Sequence, residues 1–133
     1  MEEIKVGLLG CGTVGSGVYK LLNQNGESIS NKAGAKVTVS KVLVKDTEED
    51  LAVDVSEEIL TDDFNEVIND QEIDIIVEVI GGVRPAKEFV LRSLKRGRSV
   101  VTANKELIAK HGQEILGTAE EEGVDIFFEG SVG

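Results

Sequence analysis

The chain has 133 residues, 41% hydrophobic and 29% charged, which bounds it to one domain with a core of its own and excludes a disordered chain. Its 14 basic and 25 acidic residues leave a net charge of −11, which argues against nucleic acid or an anionic membrane as partner. A small anion can still bind such a chain, but only through donors gathered at one point.

Cys11 is the single cysteine, so no internal disulfide and no cysteine-based zinc cluster can form. Met1 is followed by Glu2 and Glu3, not by the basic and apolar stretches of a secretory signal. No apolar run approaches the ~20 residues of a membrane helix. These features predict a soluble, cytoplasmic protein.

In chain order, Ile4 to Leu9 (IKVGLL) is a short apolar run ending in glycine, which predicts a strand. Val14, Val18, Leu21 and Leu22 follow at helical spacing. Asn25 to Lys36 is polar and glycine-containing, the pattern of a helix end and a surface loop. Val37 to Val44 (VTVSKVLV) alternates and then turns apolar, as a second strand entering a covered sheet does. A charged turn from Lys45 to Asp54 precedes a short amphipathic helix from Asp63 to Asn69. Ile73 to Ile80 (IDIIVEVI) predicts a third strand, stopped by Gly81 and Gly82.

Pro85 suits a first helical turn, and Phe89, Val90, Leu91 and Leu94 carry that helix to Gly97. Ser99 to Thr102 is a fourth short strand. Lys105 to Glu122 predicts one long helix, or two broken near Gly112, before a fifth strand from Val124 to Phe128. Strands alternating with helices predict a doubly wound α/β fold, a mostly parallel sheet with helices on both faces. The final EGSVG stops directly after a strand, which suggests that a larger parent protein continues beyond residue 133.

The first strand and helix enclose LGCGTVG, with glycines at positions 10, 12 and 15. In a strand–turn–helix context Gly10 permits the tight turn, Gly12 lets backbone approach a pyrophosphate, and Gly15 lets helix and sheet pack closely. The alternative is a tight turn without a ligand, and the surrounding βαβ pattern favours dinucleotide binding. Cys11 is read as a small buried filler, with modest reactivity near the helix N-terminus as a second reading.

The second strand ends VLVKD, where an acidic residue reads a free ribose 2′-hydroxyl and a cation accommodates the 2′-phosphate of NADP. Lys45 and Asp46 offer both, and the reading leans to NADP with NAD also accepted. Asp46 falls later after Gly15 than the usual ~20 residues, and the polar segment from Asn25 to Lys36 accounts for the delay. VEVIGG and VVTANKE end at the same expected sheet edge as the glycine turn. Thr102 and Asn104 could hydrogen-bond a nicotinamide or its ribose. Lys105, if desolvated, could act as general base or electrostatic stabiliser, and a lysine at a helix N-terminus runs against the helix dipole. His111 and the acidic runs Glu48 to Asp50 and Glu120 to Glu122 are read as surface features without a role.

Taken in order, LLGCGTVG, VLVKD, EVIGG, VVTANKELIAKHG and FFEGSVG closely resemble the N-terminal cofactor-binding part of homoserine dehydrogenase, over essentially the whole chain. The resemblance implies a Rossmann-type domain over residues 1–133, followed by a substrate and dimerisation domain not contained in it. It implies reversible NAD(P)-dependent interconversion of homoserine and aspartate 4-semialdehyde, on the route to threonine and methionine, by a parent homodimer. By position it places the pyrophosphate loop on Gly10, Gly12, Thr13, Val14 and Gly15, and ribose reading on Lys45. The nicotinamide side falls on Gly81, Thr102, Ala103 and Asn104, and the catalytic lysine on Lys105. A monovalent cation such as sodium is implied near Glu129 and Val132. Other amino-acid-pathway dehydrogenases and a stand-alone redox-sensing module are the competing readings.

Overall fold

A computed structural model describes residues 2–24, 35–48, 50–51 and 53–128. Glu129, Val132 and the EGSVG ending lie outside the described residues, as does the polar segment over 25–34. In chain order the elements are β1 (Glu2–Leu9), α1 (Thr13–Gln24), β2 (Ala35–Leu43), β3 (Leu60–Thr61), α2 (Phe64–Ile68) and β4 (Ile75–Glu78). After these come α3 (Ala86–Lys95), β5 (Ser99–Thr102), α4 (Lys105–Glu122) and β6 (Ile126–Phe128). Every strand pairing is parallel, in the order β3-β2-β1-β4-β5-β6. Strand order reverses between β1 and β4, and at such a switch point open α/β sheets bind ligands beyond the strands' carboxyl ends.

The sequence pattern predicts five strands, and the described residues form six. The addition is β3, only two residues long, held by Val42 N–H donating to the Ile59 carbonyl at 2.8 Å and Val44 N–H to Thr61 at 2.9 Å. Two residues show no periodicity, so such an edge strand is invisible before its partner is known. The helix expected from Lys105 is continuous by hydrogen bonding, but His111 leaves helical geometry (φ −133°, ψ 16°) beside the anticipated Gly112.

Alternation along the strands builds two cores. Leu9, Leu43, Ile76 and Val100 face α2, α3 and α4, where they meet Phe64, Val67, Val90, Leu94, Leu107 and Ile115. On the other face Leu8, Val39 and Val42 meet Tyr19 of α1. Register carries Leu8 across Val77 and Val101 to Phe127, so Phe127 lies on the α1 face. It is 57% exposed there, and among the described residues α1 is the helix packed on that face.

Two local devices set the sheet's edges. At the amino ends of β4 and β5, Arg98 donates to the carbonyls of Ile73 (3.0 Å), Arg96 (2.8 Å) and Asp70 (2.8 Å), tying the end of α2 to both strands. Nearby, Lys5 is held above the ordinary lysine value by its hydrogen bond to Glu72 at 3.0 Å. At the carboxyl ends, Gly10 turns with φ +100°, and a Cβ there would meet Ile80 backbone and the Val79 carbonyl at 3.2 Å. A Cβ on Gly15 would lie 2.3 Å from the Gly10 carbonyl oxygen, whereas one on Gly12 would meet nothing within 4 Å.

Gly15→Ala is therefore expected to lower unfolding stability by about 3 kcal/mol, and Gly12→Ala by under about 0.5 kcal/mol, in urea denaturation. Equal effects would remove the steric account of the turn. Arg98→Ala should cost about 1–3 kcal/mol in the same measurement, because its carbonyl partners lose a charged donor; a neutral result would show that water replaces the clamp.

Candidate dinucleotide-binding site

Register places the site residues at one edge. Leu9 pairs with Leu43 on one side and with Glu78 on the other; Glu78 pairs with Thr102, and Thr102 with Phe128. The four parallel strands β1, β2, β4 and β5 thus end level. The segments that follow them, beginning at Gly10, Val44, Val79 and Ala103, share one rim.

At the centre of that rim is the N-terminus of α1. Ser16 N–H donates to the Gly12 carbonyl at 2.8 Å, and Ser16 Oγ donates to the Cys11 carbonyl at 3.1 Å. The amides of the preceding turn have no intrahelical acceptor, as in any helix start. In their first turns α2, α3 and α4 carry Glu66, Glu88 and Glu106, while α1 carries no acid there. In a chain of net charge −11, that gap keeps the positive end of the α1 dipole available to an external anion. Gly12, Thr13 and Val14 are exposed, whereas Gly15 and Cys11 are buried. Open space at Gly12 with donors behind it fits a pyrophosphate.

On the β2 side Lys45 and Asp46 are both exposed. Asp46 Oδ1 accepts Glu48 N–H at 2.9 Å, which turns that carboxylate into its own loop. Lys45 makes no ion pair among the described residues.

On the β4–β5 side the structure adds a residue that the sequence reading passes over. Glu78 is fully buried, and Thr102, its register partner, donates its hydroxyl to Oε1 at 2.5 Å. Oε2 accepts the backbone N–H of Ile80 at 2.9 Å and of Gly81 at 3.4 Å. Thr102 Oγ1 also accepts Asn104 N–H at 3.1 Å, and Asn104 Oδ1 caps α4 by accepting Leu107 N–H at 3.0 Å. Asn104 Nδ2 donates to the Gly82 carbonyl. The signal was present in IIVEVI, residues 75–80, where one carboxylate interrupts a run too apolar to face water.

This network changes how two anticipated ligand contacts read. The side chains of Thr102 and Asn104 are both engaged with protein partners, so they hold the rim's shape while Gly81 and Ala103 stand exposed on it. Lys105, the first residue of α4, is exposed at the same rim, so none of the described residues supplies the desolvation a general base would need. Glu129 and Val132 lie outside the described residues. Elsewhere, no cluster of three or more His, Cys, Asp or Glu side chains is placed to hold a metal among the described residues. Nor is any described helix long and apolar enough to cross a membrane.

A family profile described as "Homoserine dehydrogenase, NAD binding domain" matches residues 10–129. Homoserine dehydrogenase of Bacillus subtilis (strain 168) is 47% identical over 132 residues, covering 99% of this chain and 30% of that protein. The chain therefore spans about a third of the length of the curated relatives it matches. A crystal structure of S. aureus homoserine dehydrogenase superposes with a TM-score of 0.91 at 40% identity, over 99% of this chain and 33% of that one. That of homoserine dehydrogenase from Thiobacillus denitrificans gives 0.87 at 44% identity, over 97% and 30%. With a parallel sheet of this order, an acid-free helix start at its switch point and these matches, the chain belongs to the NAD-binding domain family of the homoserine dehydrogenases.

Proposed function

We propose that the chain is the cofactor-binding part of a cytoplasmic, homodimeric enzyme that interconverts homoserine and aspartate 4-semialdehyde, in the synthesis of threonine and methionine. A substrate and dimerisation domain would follow residue 133. The observation that carries this reading is the open, acid-free start of α1 at the switch point of the sheet, together with the family match. The same match speaks against a stand-alone sensing module.

Gly12 and the amides of Thr13, Val14 and Gly15 would hold the pyrophosphate, and Gly81 and Ala103 would flank the nicotinamide. Thr102 and Asn104 would act by fixing the backbone there. Lys45, exposed and without an ion pair among the described residues where Asp46 is engaged with Glu48, supports a preference for NADP over NAD. The dinucleotide supplies the hydride when bound. Lys105 is then the residue whose ammonium stabilises the developing alkoxide and delivers its proton, and whose neutral amine accepts it in reverse. Its exposure here calls for the substrate domain to close over it and exclude water. A sodium-like cation near Glu129 and Val132 completes the reading.

Titration of the chain with NADP+ and NAD+ tests the placement. Gly12→Val should weaken both at least about tenfold while melting like the parent protein, since open space surrounds that position; undiminished binding would move the pyrophosphate elsewhere. Lys45→Ala is expected to raise the Kd for NADP+ about tenfold and leave that for NAD+ within about twofold, through loss of one charge-assisted contact. In the enzyme that includes the substrate domain, Lys105→Ala should lower turnover by about a hundredfold or more with cofactor affinity little changed. Unaltered turnover would remove Lys105 from the chemistry.

A further inference from the structure

We infer that Glu78 is a positioning residue for the nicotinamide half of the site, an inference that rests on the cofactor reading above. Its carboxyl group is wholly buried at a place where stability alone would favour an apolar side chain. Burying such a group is costly, and replacing it by well-packed hydrophobic residues is often neutral or stabilising. What it does instead is geometric. It collects three donors, the Thr102 hydroxyl and the N–H groups of Ile80 and Gly81, and so joins the end of β4 to the end of β5. Through Thr102 it also sets Asn104, which starts α4 and grips the Gly82 carbonyl.

The direction of these bonds decides what the rim offers a ligand. Gly81 N–H points inward to Glu78. Because the peptide unit is planar and trans, the carbonyl of Ile80 points the opposite way, away from the buried carboxyl. No described backbone donor reaches that carbonyl, so Glu78 makes this stretch present an acceptor and withhold its donors. An acceptor complements ribose hydroxyls and a carboxamide NH2, the donors at the nicotinamide end of a dinucleotide. The pyrophosphate turn packs on the backbone of Val79 and Ile80 but has hydrogen bonds of its own, Gly10 N–H on the Leu43 carbonyl at 2.9 Å and Ser16 N–H on Gly12 at 2.8 Å, and none to Glu78. Glu78 therefore acts by hydrogen bonds on the nicotinamide half of the site and reaches the pyrophosphate half only through packing.

The test compares two probes on this chain by calorimetric titration: NADP+, and 2′-phosphoadenosine 5′-diphosphate, which lacks the nicotinamide and its ribose. Glu78→Gln and, as a separate variant of nearly unchanged shape, Thr102→Val should each weaken NADP+ at least about tenfold and leave the shorter probe within about twofold. Thr102→Ser, which keeps the hydroxyl, should restore NADP+ binding. The Glu78→Gln, Thr102→Val double variant should lose no more than either single one, as expected of residues acting as one unit. Equal weakening of both probes would assign Glu78 to general stability and overturn the proposal, as would unchanged NADP+ binding. If the parent chain binds neither probe, the cofactor reading itself fails and the proposal falls with it.

Discussion

The rest of the site depends on a contact with no room in it. Gly15 packs so closely on the Gly10 carbonyl that a methyl group would lie 2.3 Å from the oxygen, and Gly10, at φ +100°, rests on the backbone of Val79 and Ile80, where a methyl group would lie 3.2 Å away. A helix can begin this near the end of its own strand only if both positions lack side chains. That closeness sets the start of α1 directly over the switch point between β1 and β4, where the strand order leaves a crevice. Gly12, between them, is the position with space in front of it.

Charge then acts locally against the global balance. A chain this acidic repels anions at a distance, but at 0.15 M ionic strength that field fades over about 8 Å. An anion at the start of α1 would meet a first turn without acidic side chains, whereas the other three helices among the described residues each carry a glutamate there. Those glutamates suit their own helix dipoles; their absence from α1 leaves its donors for something outside the chain.

Across the crevice the rim is organised by Glu78, and here sheet register matters more than side-chain chemistry. Leu9, Glu78 and Thr102 are successive register partners, so their side chains share the face covered by α2, α3 and α4. The glutamate and the threonine meet as a cross-strand pair, and the loops beyond them inherit their positions. The glycine turn and the Glu78 network thus meet at Val79 and Ile80, the segment on which Gly10 rests and whose Ile80 amide Glu78 binds. Arg98, at the other end of the same two strands, clamps three carbonyls and leaves the ligand edge alone.

Much of this was legible beforehand because local physics carries it. Alternation in VTVSKVLV, helical spacing from Val14 to Leu22 and glycine spacing in LGCGTVG each report an element or a turn without reference to distant residues. They determined the doubly wound class, the glycine loop and the rim that TANKE shares with it. The two-residue β3 was not legible, since its identity lies in bonds to β2. Nor was the engagement of Thr102 and Asn104, which look like free polar groups in VVTANKE until Glu78 and Gly82 arrive beside them. Only tertiary structure decided that, because the pairing of residues 24 apart is set by the register of parallel strands. A strand's own pattern says which face a side chain takes, and never which neighbour it meets there.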